Sequence, residues 1–473
     1  MTPNVQPPWD AVVFTIEVLL FAYFISANGF YAFTALLALA NLPLFVKLHR
    51  VDPLRRSYSA LDTPVSVIVP AFDEREHVVK TVRSLLALEY PTFEVIVVND
   101  GSTDGTLEAL GEAFALEPYP DAYRVSLPTE EVRETYRSAQ YPALRVIDKA
   151  NGGKADALNA GLNVARYPLV LAGDAKSYYH PSTLQWMTEP FQKDGRTMVV
   201  GGAVAVGNGG TPDARGELVP KLPSRLLLRF QALEYLRTFL SNRLGWAPLN
   251  ALGMVSGACG LWRKDLLVEA GGYRRDTVWE DMEMTLRVHH MMRRKGRTYR
   301  VAFTPYPVCW TIVPETLGSL YRQRVLWHRH LSECLSIHRG LLLKGGALGW
   351  MTLPYLIFFE WLAPLVVTFA IAFGAAGLIF HFLTWQSQAV LLALAITLAI
   401  LISFVAILLD EISFTAYRLS DVWNLILAAF LDNFGYRQFV GFANLAGLIA
   451  WATRSSYRGR KPPGMFVKPY PEA

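Results

Sequence analysis

VSVIVPAFDE, residues 65–74, is a β-branched apolar run that ends at a proline and leads directly into two carboxylates. No polar alternation interrupts Val65–Pro70, which predicts a strand buried on both faces, as in a parallel sheet. Val78, Val79, Val82, Leu85, Leu86 and Leu88 follow at helical spacing, so Glu74–Leu88 is predicted helical. FEVIVV (93–98) reads as a second strand and Asp104–Phe114 as a second helix. Strand, helix, strand, helix implies a parallel α/β sheet with right-handed crossovers.

Working outward, residues 115–143 are polar, rich in Pro and Tyr, and read as an insertion or long loop. Leu144–Ile147, Leu169–Ala172 and Met198–Val206 read as strands. Ala155–Ala165, Pro181–Phe191 and Leu226–Leu240 read as helices, and GNGG (207–210) as a turn. No internal repeat is visible.

The chain has 473 residues and a mean hydropathy of +0.24, high for a water-soluble protein. The apolar character sits in two blocks, 11–47 and 346–450. The first is too long for a secretory signal and long enough to span a bilayer, either as one tilted helix or as a hairpin broken near Asn28-Gly29. Glu17 is its polar exception. In the second block, Ala389–Leu409 reads as a clean span. Asp432, Asn433, Tyr436 and Arg437 interrupt Trp423–Ala450 and suggest interfacial or re-entrant helices there. The expected layout is an interfacial helix, spans near 364–383 and 388–409, then a second interfacial element.

Four regions follow: a membrane segment (1–50), a water-facing domain (51–345), membrane and interfacial helices (346–453) and a basic tail (454–473). Lys47, His49, Arg50, Arg55 and Arg56 flank the first block; Arg454, Arg458, Arg460, Lys461 and Lys468 crowd the tail. By the positive-inside rule both flanks, and the domain, face the cytoplasm, which points to a multi-pass inner-membrane protein. The net charge of +5 collects at these flanks, which suits lipid headgroups and not nucleic acid. Cys259, Cys309 and Cys334 are far apart and give no case for a disulfide or zinc.

The candidate chemistry lies just after strands, where an open α/β sheet binds ligands. Asp73-Glu74, Asn99-Asp100 and Asp174 all occupy such places. KANGGKADALN (149–159) puts Lys154 at a helix start behind two glycines; a cation beside free helix amides suits a diphosphate. VWEDMEM (278–284) offers Asp281 as a general base, with Glu280 orienting the loop. Both carboxylates would also suit plain helix capping. YRQRVLWHRH (321–330) is a basic helix with one tryptophan. It suits either a membrane surface or donors to a diphosphate.

On KANGGKADALNAGL (149–162), VVNDGSTDGT (97–106), SGACGLWRKDLL (256–267) and GGYRRDTVWEDMEMTLRVH (271–289), residues 64–335 resemble the processive family 2 glycosyltransferases. That family has the GT-A fold and includes the cellulose and hyaluronan synthases; the resemblance is greatest to the bacterial poly-N-acetylglucosamine synthases. It implies that Asp73 and Asp100 hold the nucleobase and ribose. Lys154 would approach the diphosphate, and Lys176 would belong to the same donor site. Asp281 would be the base. Gly257, Glu280, Gln323, Arg324 and Trp327 would border the acceptor and diphosphate. Asp174 would be the first Asp of an Asp-x-Asp pair holding magnesium or manganese.

Two positions depart from that pattern. Lys176 stands where the second metal-binding Asp belongs, and Leu326 where Gln-x-x-Arg-Trp has Arg. A lost metal removes two positive charges, and Lys restores one. Three states stay open: activity with a metal held differently, activity without one, or weak catalysis. The expected activity is inverting transfer from a UDP-sugar, such as UDP-N-acetylglucosamine, to a growing extracellular polysaccharide. The alternatives are single-sugar transfer to a lipid acceptor, or a non-catalytic subunit of a synthase complex that binds nucleotide or glycan. The implied partners are the UDP-sugar, a polysaccharide or lipid acceptor, the bilayer and other synthase subunits.

Overall fold

The structure, a computed structural model, describes residues 8–50, 62–213, 218–277, 279–414 and 417–453. Arg55, Arg56 and the basic tail lie outside the described residues, as do the side chains of Lys47, His49 and Arg50.

Among the described residues there are twelve strands: β1 (Val65–Ala71), β2 (Phe93–Asn99), β3 (Leu116–Pro118), β4 (Val132–Ser138), β5 (Leu144–Lys149), β6 (Leu169–Gly173), β7 (Ser177–Tyr179), β8 (Thr197–Val206), β9 (Thr211–Pro212), β10 (Leu218–Val219), β11 (Cys259–Arg263) and β12 (Arg300–Thr311). Ten of them make one sheet in the order β3-β4-β5-β2-β1-β6-β11-β8-β12-β7, and β9 and β10 pair separately. β1 is central. It runs parallel to β2 from Val65↔Phe93 and parallel to β6 from Val65↔Leu169. Every β1 residue is buried, which is why its sequence does not alternate. The helices Val78–Leu86, Thr106–Phe114 and Lys154–Val164 are the crossovers.

This topology sets the site. β1, β2, β5 and β6 are parallel neighbours and end at the same edge. β11 runs antiparallel to β6, with Cys259 opposite Gly173. The loop entering β11 therefore meets the loop leaving β6, and residues 256–258 come to Asp174.

The stretch 115–143 is not simply a loop. β3 and β4 add an antiparallel edge, with Tyr136 paired to Val146. Most of VRETYRS is only partly buried. An edge strand with a wet face needs no apolar run, so its polar sequence reads as loop.

The first apolar block is one helix, Pro8–Arg50, with no break at Asn28-Gly29. Asn28 Nδ2 donates to Phe24 O at 2.8 Å, one turn back, which satisfies the amide inside the helix. Glu17 does not face lipid alone: Gln388 Nε2 donates to its Oε1 at 3.2 Å. Among the described residues three helices are long and apolar enough to cross a membrane: Ala11–Leu42, Leu348–Ile379 and Trp385–Ser413. The second starts earlier than the span expected near residue 364. Pro364 falls at the start of the helix Ala363–Ile379, where a missing N–H costs little, and Pro354 lies in the short α-helical turn Leu353–Tyr355 between the π-helical stretches Leu348–Thr352 and Leu356–Trp361. Helices Leu419–Leu431 and Tyr436–Ala452 follow. Asp432, between them, is fully buried and pairs with Arg237 at 2.7 Å and Arg437 at 3.2 Å. A polar residue that interrupts the apolar pattern is thus a buried ion pair joining these helices to the domain.

Candidate active site

Asp100, at the carboxyl end of β2, is buried and saturated with donors. Lys149 Nζ lies 2.6 Å from its Oδ1, Gly152 N donates to Oδ1 at 3.0 Å and Gly153 N to Oδ2 at 2.7 Å. Asn151 Nδ2 donates to its carbonyl at 2.7 Å. Asp100 thereby shapes the NGG turn ahead of Lys154. Gly153 takes φ +90°, a left-handed conformation that glycine adopts without strain. Lys149 is fully buried and also reaches Asp156 Oδ1 at 2.5 Å. Asp156 in turn binds Arg275 at 2.9 Å. Sequence reasoning singled out Lys154 in this segment and missed Lys149, whose position as the last residue of a buried strand was the available signal.

Asp73 is exposed at the mouth of the same edge and takes φ +54°. Its Oδ1 accepts from Thr103 N at 2.8 Å, and its N donates to Ser102 Oγ at 3.1 Å, so it ties the β1 loop to the β2 loop.

Lys154 opens the helix Lys154–Val164 and extends across the cleft. Its Nζ lies 2.8 Å from Glu280 Oε1 and donates to Gly257 O at 3.2 Å. Burial pulls the ammonium pKa down, but Glu280, Asp174 and Asp281 outweigh burial and raise it. Lys154 therefore stays charged. Asp281 begins the helix Asp281–Arg294. Its Oδ2 accepts from Gly257 N at 3.1 Å, and its Oδ1 from Met282 N at 2.7 Å. His330 Nε2 stands 3.4 Å from Oδ1. Burial favours the neutral acid, but His330, Lys154 and the Met282 amide outweigh it and hold the carboxyl below the ordinary carboxylate range. Gly257 leaves little room for a side chain. A Cβ there would meet Glu280 Oε1 and Lys154 Nζ at 3.0 Å and Asp281 Cβ at 3.3 Å. Helix capping alone does not account for Glu280, whose side chain makes no cap hydrogen bond.

Asp174 follows β6. Its N–H donates to Tyr179 Oη at 2.9 Å, and that hydroxyl donates to Ala258 O at 2.7 Å. Tyr179, another residue missed in the sequence, clasps the two loops together. Lys176 pairs with Glu74 Oε1 at 2.7 Å. Burial raises the Glu74 pKa, partly offset by Lys176. Magnesium is usually held by one or two carboxylates plus phosphate oxygens. Here the second carboxylate is a lysine. Among the described residues no three His, Cys, Asp or Glu side chains converge on one point. These residues do not fit an Asp-x-Asp metal pair.

The helix Leu317–Ile337 carries Gln323, Arg324 and Trp327. Arg324 is buried; its Nη2 donates to Glu234 at 3.0 Å, and its guanidinium lies 4.2 Å from the Trp327 ring centroid. Gln323 Oε1 is buried with no hydrogen-bond partner among the described residues. Arg243 was not anticipated. It is 5% exposed, stacks 4.1 Å from the Phe239 centroid and has no partner for Nη1 among the described residues. Burial lowers its pKa to about 10, and Asp281 acts against that shift. It follows a π-helical stretch, Leu236–Asn242, a geometry common at functional sites but silent in a sequence. Cys259, Cys309 and Cys334 are free and buried.

The mostly parallel sheet thus carries carboxylates and lysines on its carboxyl-end loops, where an open α/β sheet binds ligands. Residues 63–329, more than half of the chain, match the family model "Glycosyltransferase like family 2", and the chain belongs to that family. Members of family 2 commonly use Mn2+ or Mg2+. The chain is 28% identical over 272 residues to a poly-beta-1,6-N-acetyl-D-glucosamine synthase of Staphylococcus epidermidis, covering 57% of this chain and 55% of that one. It is 28% identical over 271 residues to the enzyme of the same name from Staphylococcus aureus strain COL. It thus spans about half the length of the curated relatives it matches. Among solved structures it is similar to the mannosyltransferase PcManGT from Pyrobaculum calidifontis in complex with GDP-Man and Mn2+. That match has a TM-score of 0.49 and 17% identity, and covers 92% of this chain and 100% of the other. It is also similar to S. aureus TarS residues 1–349 in complex with UDP-GlcNAc, with a TM-score of 0.36, 15% identity and coverage of 84% and 93%.

Proposed function

We infer that the protein is a membrane-embedded, inverting transferase that moves a sugar from a UDP-sugar, UDP-N-acetylglucosamine first, to a growing polysaccharide. The observation that carries this reading is the cluster of Lys154, Glu280, Asp281 and Gly257 opposite Asp174. The named relatives supply the sugar. The acceptor hydroxyl loses its proton to Asp281 while its oxygen bonds to the sugar's anomeric carbon. The bond from that carbon to the diphosphate breaks, and UDP leaves with the electron pair. Lys154 neutralises the growing charge on the diphosphate, aided by the free amides at the start of its helix. Asp73 and Asp100 border the nucleoside, Asp100 mainly by shaping the glycine turn. Trp327 offers a flat face to an acceptor sugar, with Gln323 beside it. The domain faces the cytoplasm, and the membrane helices guide the product outward.

Lys176 and Leu326 favour a second reading, a nucleotide- or glycan-binding subunit without turnover. Purified full-length chain in nanodiscs, given a panel of UDP-sugars, separates the two. UDP release with one sugar, together with polymer, supports the first. UDP binding without release supports the second. Release that yields only a monoglycosylated lipid would replace the polysaccharide acceptor with a lipid.

A further inference from the structure

Two basic segments with no part in the scheme above meet where the domain joins the apolar helix Leu348–Ile379. One is the end of the helix Asp281–Arg294 and the turn after it, with Arg293, Arg294, Lys295 and Arg297. The other is the approach to the apolar helix, with Arg339 and Lys344. Arg293 Nη1 donates to Lys344 O at 3.2 Å, and the His290 and His338 rings lie 6.5 Å apart, so the two segments share one surface. Gly345 and Gly346 fold closely over Arg293: a Cβ at Gly345 would lie 2.8 Å from its Nη1.

We propose that this surface binds the headgroup of an anionic phospholipid in the leaflet that the domain faces. The lipid phosphate lies between Arg339, Lys344 and the helix end that carries Arg293 and Arg294. The charge is one-sided. No Asp or Glu occurs in residues 284–314 or 334–359. Arg294, Lys295, Arg297, Arg339 and Lys344 are all exposed. Glu269 pairs with Lys295 and stands 3.9 Å from Arg297. Arg339 and Lys344 form no ion pair among the described residues. Burial, then His338 and Arg294, lower the His290 pKa, the direction that positive surroundings give.

The apolar residues identify the occupant. Ile337, Leu343 and Trp350, interleaved with these cations along the chain, are 40%, 50% and 61% exposed. Trp350 stands in the first turn of the apolar helix. Tryptophan collects at the boundary between water and lipid, and each Lys or Arg beside a membrane span is attracted to anionic headgroups. An acidic protein would have to cover the three apolar side chains as well as the charges. A bilayer that holds the helix Leu348–Ile379 covers them without a further partner. The helix that ends at this surface begins at Asp281, so a bound headgroup fixes its far end.

The test titrates the full-length chain in detergent with phosphatidylglycerol and, separately, phosphatidylcholine. Native mass spectrometry reads the bound lipid. Wild type should bind phosphatidylglycerol at least about tenfold more tightly, and less so as salt rises. Arg339→Gln and Lys344→Gln should each weaken that binding about fivefold, and the double variant about 25-fold. Arg339→Lys combined with Lys344→Arg keeps the charge and should bind as wild type. Arg133→Gln, on the edge strand β4, should also bind as wild type. The basic residues of 454–468 add a background that all these proteins share. Equal affinity of wild type for the two lipids overturns the proposal. So does a double variant that holds phosphatidylglycerol within about twofold of wild type, or an equal loss in Arg133→Gln. Unchanged thermal midpoints show that the variants are folded. The readout needs no turnover, so it stands apart from the reading of the active site.

Discussion

Lys176 Nζ lies 2.7 Å from Glu74 Oε1 and forms no ion pair with Asp174, two residues before it. The lysine that replaces a metal-binding carboxylate is thus held by the loop after β1. Asp174 is one of the carboxylates that raise the pKa of Lys154 across the site.

Transfer should therefore survive removal of divalent ions. UDP release measured with and without EDTA should differ less than twofold. Lys176→Asp rebuilds the Asp-x-Asp pair and should make release respond to added Mn2+. Wild-type activity abolished by EDTA and restored by Mn2+ would show that Asp174 holds a cation with other partners.

Lys154→Met should lower kcat by about 100- to 1,000-fold, the usual cost of removing one donor to a developing charge. Steady-state kinetics with saturating UDP-sugar would measure it. Lys154→Arg should recover part of the rate. A Met variant within threefold of wild type would remove Lys154 from the diphosphate.

Arg243 is a buried guanidinium that interacts electrostatically with Asp281 and has no partner for Nη1 among the described residues. Arg243→Met should lower kcat about tenfold or more, and Arg243→Lys less, with thermal midpoints in detergent as the control for folding. Arg324 is committed to Glu234 and Trp327, so Arg324→Met should act on stability before it acts on rate. Wild-type kcat in Arg243→Met would leave Arg243 as a packing residue.

Gly161 packs its helix directly on the central strand. A Cβ at Gly161 would lie 2.3 Å from Ile68 Cγ2. Gly161→Ala should destabilise the domain by about 1–3 kcal/mol through overpacking, read as a lower unfolding midpoint. An unchanged midpoint would mean that helix and sheet separate easily there.

The central sheet was legible because β1, β2 and β6 are apolar runs with turn signals after them, and their ends carried Asp73, Asp100 and Asp174. Asp281 was legible from its place before a helix. β4 was not, because an edge strand can be polar. The continuity of Pro8–Arg50 through Asn28-Gly29 was not, because a side-chain bond to Phe24 O replaces the expected break. Lys149, Tyr179, Arg243 and His330 were hidden for one shared reason. Each acts on a residue distant in sequence, and only the sheet register and helix packing bring the pair together.

Asp281 is the residue on which the proposed chemistry stands or falls. The decisive measurement is sugar transfer from labelled UDP-N-acetylglucosamine by wild type and Asp281→Asn in matched nanodiscs, with UDP binding followed in parallel. Loss of at least about 100-fold in transfer with UDP affinity retained is the expected result. Equal transfer by the two proteins would contradict the assignment of Asp281 as the base.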